Sequence, residues 1–185
     1  MLMVNTMKGR EILIGVSGGI AAFKTAALVS RLVQAGAGVS VVMTRSATKL
    51  VGPKTFEALT GRAVFTRVFG PGAHPHIEVA QKAELLCVAP ATANIIAKAA
   101  CGLADDLLST VLLSFDGPVL MAPAMNSLMW EKPAVKRNVA LLKADGITLI
   151  DPESGYLSCG AIGAGRMAEP ETILQIIQRK LNEKK

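Results

Sequence analysis

Three side chains of this sequence stand where their chemistry is usable: the amide of Asn126, the imidazole of His76 and the thiol of Cys159. Asn126 belongs to the string Met121-Ala122-Pro123-Ala124-Met125-Asn126-Ser127-Leu128-Met129-Trp130, which follows the apolar run Pro118-Val119-Leu120. That run reads as a buried strand, and the carboxyl end of a strand in an open α/β sheet is where ligands bind. The same amide would equally serve as a helix N-cap, and the residue alone does not separate the two roles. His74 and His76 close the turn-rich segment Gly70-Pro71-Gly72-Ala73-His74-Pro75-His76. An imidazole titrates near neutral pH, which suits proton transfer, with a structural or solvent-exposed His as the ordinary alternative. Cys159 lies in Gly155-Tyr156-Leu157-Ser158-Cys159-Gly160, a glycine-flanked loop where an exposed thiol can react. Cys87, inside Leu85-Leu86-Cys87-Val88, reads as an inert core thiol and Cys101, before Gly102, as structural. No two cysteines have disulfide or metal-ligand spacing, so no metal site is expected.

A second set of residues suits an anion. Gly15-Val16-Ser17-Gly18-Gly19-Ile20 places small residues between a strand and a helix, where backbone N–H groups and a Ser hydroxyl can face a phosphate. The pattern is neither Gly-x-Gly-x-x-Gly nor a P-loop, which points to a mononucleotide rather than a dinucleotide or ATP. Thr44-Arg45-Ser46 and Thr92-Ala93-Asn94 also follow strands, and Ala122-Pro123 makes a fourth junction. Taken singly, the hydroxyl and amide groups of these junctions are N-caps; taken together, the four outline a mononucleotide pocket. Lys24, inside the first helix, is expected to be solvated.

These groups need a scaffold that brings strand ends together. Buried strands are predicted at Glu11–Val16, Val39–Met43, Leu85–Ala89, Val119–Met121 and Ile147–Ile150, with room for a sixth. Helices are predicted at Ile20–Gln34, Pro53–Leu59, Ile77–Lys82, from Asn94 to Gly102, and at Asp105–Leu113, Pro133–Lys143 and Glu169–Leu181. Strands alternating with helices imply one doubly wound α/β domain, Rossmann-like or flavodoxin-like, with a parallel sheet covered by helices on both faces. The 185 residues suffice for one domain, here assigned to 1–185. With 51% hydrophobic and only 4% aromatic residues, its core must be aliphatic.

No stretch approaches the roughly 20 apolar residues of a membrane span, and the N-terminus shows no signal core, so a cytoplasmic location is expected. The net charge of +6 is spread along the chain, densest at Arg179-Lys180 and Lys184-Lys185. With few aromatics to stack on bases, this does not describe a nucleic-acid binder. It does suit phosphate-bearing ligands.

Between Gly15-Val16-Ser17-Gly18-Gly19-Ile20-Ala21 and Gly163-Ala164-Gly165-Arg166-Met167 lie His76-Ile77-Glu78-Val79-Ala80, Ala89-Pro90-Ala91-Thr92-Ala93-Asn94, Asp105-Asp106-Leu107-Leu108-Ser109-Thr110, the Asn126 string and Ser158-Cys159-Gly160. In order and spacing these segments resemble the homo-oligomeric flavin-containing cysteine decarboxylases, over nearly the whole chain. The resemblance implies FMN held by Ser17, Gly18, Gly19, Ile20, Thr44, Arg45, Ser46, Thr92, Ala93, Asn94, Ser109 and Ala122. It further implies decarboxylation of 4′-phosphopantothenoylcysteine to 4′-phosphopantetheine, a step of coenzyme A biosynthesis. In that chemistry the thiol-bearing carbon is first oxidised to a thioaldehyde. Carbon dioxide then leaves as from a β-keto acid, and the resulting enethiolate is reduced again.

By the same resemblance His76, which carries the Ile-Glu-Val-Ala context that His74 lacks, is the base or positioning group of the oxidative half. Asn126 holds the substrate carboxylate, and Cys159 donates a proton in the reductive half. Met129 and Trp130 shape the substrate wall, while Tyr156, Leu157 and Ser158 belong to a flap closing over it. Ala161 departs from the pattern, since many relatives carry an acidic residue after Cys-Gly. The family assembles as trimers or dodecamers with sites at subunit contacts, so His76 is expected to reach a neighbour's flavin. The fused synthase domain of bifunctional relatives is absent from these 185 residues. Three alternatives are a peptidyl-cysteine decarboxylase, whose enethiol product needs no reducing Cys, a flavin prenyltransferase and a non-enzymatic phosphatase-regulating relative.

Overall fold

The computed structural model describes residues 7–69, 75–156, 160 and 162–183. Five strands form one parallel sheet: β1 (Glu11–Val16), β2 (Gly38–Met43), β3 (Leu85–Ala91), β4 (Val119–Pro123) and β5 (Thr148–Leu149), in the order β2-β1-β3-β4-β5. That is the flavodoxin-like order, in which the chain reverses its winding direction between β1 and β3. Register follows from side chains that alternate between two buried faces. Ile12, Ile14 and Val16 point into one apolar cluster with Val39, Val41 and Cys87. Leu13 points to the opposite cluster with Val42, Leu86 and Val88. A strand buried on both faces must be apolar throughout, as β1 and β3 are.

Helices α1 (Ala22–Gln34), α2 (Pro53–Thr60) and α8 (Pro170–Asn182) cover the first face. Helices α3 (Pro75–Lys82), α4 (Ala93–Cys101), α5 (Leu107–Ser114) and α7 (Pro133–Ala144) cover the second. Each α1 residue buried against the sheet, Ala22, Thr25, Leu28, Val29 and Leu32, recurs at helical spacing on one side. Both α2 and α7 begin with Pro, whose missing N–H has no acceptor at that position anyway. Helix α4 ends at Gly102 with φ of 66°, a left-handed cap that glycine adopts without penalty.

Among the described residues, besides a one-turn 3-10 helix at Ala47–Lys49, two further elements were not expected. A short helix α6 (Ser127–Trp130) follows β4 directly. An antiparallel hairpin of β6 (Glu153–Tyr156) and β7 (Ile162–Arg166) stands where the sequence suggested an irregular flap. Gly165, at φ of 122°, leaves room for the Met125 carbonyl, which accepts no Cβ at that position; the Gly165 carbonyl in turn takes the Met125 N–H at 2.9 Å. The hairpin is thereby sewn to the loop before α6. The last sheet strand is shorter than expected, Thr148–Leu149 rather than 147–150.

Candidate functional site

The carboxyl ends of β1, β2, β3 and β4 open onto one cavity of about 730 Å³ at the winding reversal. Small-molecule sites run from roughly 300 to 1,000 Å³ and favour this location. Its walls bring together Ser17, Gly18, Gly19 and Ile20 after β1, Thr44, Arg45 and Ser46 after β2, and Thr92, Ala93 and Asn94 after β3. From β4 and α6 come Asn126 and Met129, and from the hairpin Tyr156 and Arg166.

Glycine at 18 and 19 is required by the approach of three junctions. A Cβ on Gly18 would overlap Ser46 Cβ, and one on Gly19 would sit 3.2 Å from Thr92 Cγ2. The bare backbone leaves amide groups on the cavity side: among the described residues, no hydrogen bond uses the N–H of Gly18, Ile20 or Ala21. These free amides belong to the loop and the N-cap that lead into α1, and at the positive end of that helix they favour an anion. A phosphorylated mononucleotide fits this arrangement in charge, donors and size.

Ser17 works differently from its expected role. Its buried hydroxyl donates to Pro90 O at 2.7 Å and accepts the Thr92 N–H at 3.1 Å. A hydroxyl has one proton, so Ser17 ties the β1 and β3 junctions together and leaves phosphate donation to the amides. Thr92 caps α4 through Ile95 N, as its sequence position suggested. Ser109 and Ala122 are not on the cavity wall. Ser109 is buried in a capping box with Asp106 at the start of α5, and Ala122 is buried in the sheet core. Ala124, two residues on and past the end of β4, takes the wall position instead: it shares the face of Ala122 but lies beyond the strand, where the cavity opens.

Asn126 resolves both of its possible roles at once. Its side-chain oxygen accepts the Met129 N–H at 2.8 Å, capping α6. That bond fixes which way the amide points and leaves the two N–H donors of Nδ2 without a partner among the described residues, in a residue that lines the cavity. Met129 lines the cavity, whereas Trp130 packs against the second core cluster with Lys136 Nζ 4.7 Å above its ring. Packing, not the cavity wall, is therefore the position of Trp130.

Lys24 is not solvated. Its side chain is only 12% exposed, lines the cavity, and donates to Glu169 Oε1 at 2.9 Å and to Met167 O at 3.0 Å. Arg166 of β7 donates to the same Glu169 oxygen. The hydrogen bond from Lys24, with the charges of Lys24 and Arg166, holds the Glu169 carboxyl below its usual range against the opposing effect of burial. Glu153 of β6 accepts the Glu169 backbone N–H at 3.1 Å, so the hairpin base is tied to both α1 and α8. Sequence reasoning missed this cluster because its members are separated by up to 145 positions.

On the opposite wall Lys98 lies between Asp105, at 2.6 Å, and Asp106, at 2.7 Å. Burial would depress the ammonium pKa, but the hydrogen bonds and charges of both carboxylates outweigh it and hold it above the usual value. Cys87 is fully buried and burial pushes its thiol up to about 12, in keeping with an inert core residue. Cys101 differs from expectation, since it is exposed at the end of α4.

His76 falls on α3, which packs against α5 and beside β1. Its side chain lies outside the described residues, as do Leu157, Ser158, Cys159 and Ala161. Among the described residues, none of α3 lines the cavity.

The doubly wound sheet with a cavity at its winding reversal is the architecture of a nucleotide-binding α/β fold, and the family comparison specifies which. The Flavoprotein family profile matches residues 3–182, and this chain belongs to that family. The coenzyme A biosynthesis bifunctional protein CoaBC of Bacillus subtilis (strain 168) is 49% identical over 180 residues, 96% of this chain and 44% of that protein. CoaBC of Mycobacterium tuberculosis (strain ATCC 25618 / H37Rv) is 46% identical over 170 residues, 91% of this chain and 41% of that protein. The chain thus spans less than half the length of these relatives. Among solved structures, a PPC decarboxylase variant complexed with pantothenoylaminoethenethiol matches with a TM-score of 0.82 and 32% identity, covering 92% of this chain and 97% of that one. The FMN-dependent cysteine decarboxylase SpaF matches with a TM-score of 0.82 and 33% identity, covering 95% and 97%.

Proposed function

We propose that this chain is an FMN-dependent decarboxylase that converts 4′-phosphopantothenoylcysteine to 4′-phosphopantetheine. The observation that carries the reading is Asn126: its oxygen is committed to the α6 cap, the residue lines the cavity, and its two amide donors have no partner among the described residues. Two N–H donors without a formal charge suit a carboxylate that must later leave, because a cation would stabilise the ground state more strongly. Identity with CoaBC and likeness to a PPC decarboxylase bound to an enethiol support the same substrate class.

FMN, when bound, supplies reversible two-electron oxidation at the thiol-bearing carbon. The residues that hold its phosphate are the amides of Gly18, Ile20 and Ala21, with Thr44, Arg45 and Ser46 across the gap. Asn126 orients the carboxylate. His76 accepts or steers the proton of the oxidative half, and the thiol of Cys159 returns one in the reductive half. Met129 and Tyr156 enclose the substrate, with Leu157 and Ser158 completing the flap.

The site is shared between copies of the chain in a homotrimer or homododecamer. Ile20 and Phe23 support this: they are 58% and 62% exposed at the cavity edge, apolar surface that a second copy would cover. We assign the chain as one decarboxylase domain acting in the cytoplasm; no described helix is long and apolar enough to cross a membrane.

An absorbance spectrum of the purified protein followed by carbon dioxide release from 4′-phosphopantothenoylcysteine tests cofactor and substrate together. A yellow protein that releases carbon dioxide and forms the saturated thiol is the expected result. A protein that cannot be loaded with FMN, or that decarboxylates only peptides ending in Cys, overturns the reading.

A further inference from the structure

The proposed ligands carry two phosphate monoesters, one on FMN and one on 4′-phosphopantothenoylcysteine, and the glycine loop accounts for one. The cations on the cavity wall fall into three places. Lys98 is held between Asp105 and Asp106 and offers no net positive charge. Arg45 stands at the glycine loop beside Ser46, with no ion pair among the described residues. Lys24 and Arg166 stand together at the hairpin end, because both donate to one oxygen of Glu169.

That last pair is built for an anion. Both cations line the cavity, whereas Glu169 and Glu153 are not on its wall. Their shared bond to Glu169 holds the two head groups beside each other at the cavity wall. Like charges repel, so two cations held at one point need the shared Glu169 oxygen, and they retain donors for a further anion. Their place is fixed by backbone contacts too: Arg166 follows Gly165, whose carbonyl takes the Met125 N–H beside Asn126.

We propose that Lys24 and Arg166 form a second phosphate subsite, at the hairpin end of the cavity, that takes the phosphate monoester of the substrate. This rests on the decarboxylase reading and names its specificity. The guanidinium of Arg166 uses one nitrogen on Glu169 and keeps other N–H groups in the fork geometry that matches a phosphate edge. Lys24 adds a point charge. A substrate lacking the phosphate leaves this pair without its partner and binds more weakly.

The test compares kcat/KM for 4′-phosphopantothenoylcysteine and for pantothenoylcysteine in the wild type, Arg166→Met and Arg166→Lys. The preference for the phosphorylated substrate should fall roughly 10- to 100-fold in Arg166→Met, carried by KM, as expected for losing a charge-assisted hydrogen bond. Arg166→Lys should recover part of it. Because the readout is a ratio of two substrates on one protein, partial unfolding does not imitate it. An unchanged ratio overturns the proposal. So does a loss of selectivity for FMN over riboflavin with the substrate ratio intact, which would assign the pair to the cofactor's phosphate. If the wild type releases carbon dioxide from neither substrate, the decarboxylase reading fails instead. The subsite is then decided by whether flavin absorbance reports tighter binding of 4′-phosphopantetheine than of pantetheine, and whether Arg166→Met abolishes that difference.

Discussion

The side-chain oxygen of Asn126 accepts the backbone N–H of Met129, and this one bond gives the residue a structural half and a chemical half. Asn126→Asp separates them. A carboxylate caps a helix as well as an amide, so thermal stability should stay within about 0.5 kcal/mol of wild type. The two unpartnered N–H donors of this cavity-lining residue are replaced by a negatively charged acceptor, and carbon dioxide release should fall by roughly two orders of magnitude or more. Asn126→Ala should lose activity and also about 1 kcal/mol of stability. Equal destabilisation by both variants would show that the cap and the amide donors are not independent.

Gly18 tests the cofactor cradle. A Cβ there overlaps Ser46 Cβ, so Gly18→Ala must push the β1 and β2 junctions apart. Overpacking of this kind costs about 1 to 3 kcal/mol. The displaced amides should weaken FMN binding at least about tenfold. Flavin fluorescence titration reads the affinity and denaturant unfolding of the flavin-free protein reads the stability. Unaltered FMN affinity would remove the phosphate from this loop.

The ionic cluster at the hairpin base predicts an acid limb. The Glu169 carboxyl is held below its ordinary value of 4.5 by the hydrogen bond from Lys24 and the charges of Lys24 and Arg166. A carboxyl whose pKa is lower in the folded than in the unfolded state contributes stability that is fully present above the unfolded value. That stability is lost as pH falls through the folded value. Glu169→Gln should therefore lower Tm at neutral pH and flatten its decline below about pH 4.5. Parallel Tm curves for variant and wild type across that range would refute the assignment.

Cysteine labelling separates core from surface. Cys87 is fully buried with its thiol pushed up to about 12, whereas Cys101 is exposed. In the native protein a maleimide should modify Cys101 within minutes and reach Cys87 only on unfolding. Peptide mapping by mass spectrometry distinguishes them, and early labelling of Cys87 would mean that β3 opens locally.

Much of this fold was legible because its signals are local. Apolar runs gave β1 to β4 nearly to the residue, and Gly36, Gly61 and Gly102 marked helix ends. The hairpin was not legible: Ser154, Gly155, Gly163 and Gly165 have low strand preference and hide any alternation. Helix α6 was missed because four residues are too few for a period. At the site, the junction residues could be chosen by position after a strand, but what each side chain does there could not. Ser17 turns to Pro90, and Lys24 turns to Glu169, through contacts spanning 73 and 145 positions. Such pairings depend on how elements meet, which composition and spacing do not encode.

The hydrogen bonds from Ser17 to Pro90 and from Thr92 back to Ser17 join segments that arrive far apart during synthesis. The floor of the cavity is therefore complete only once β3 has docked beside β1. Cofactor capture thus comes after docking of β3 beside β1, and a ligand that binds only this assembled floor adds its binding free energy to the in-register sheet.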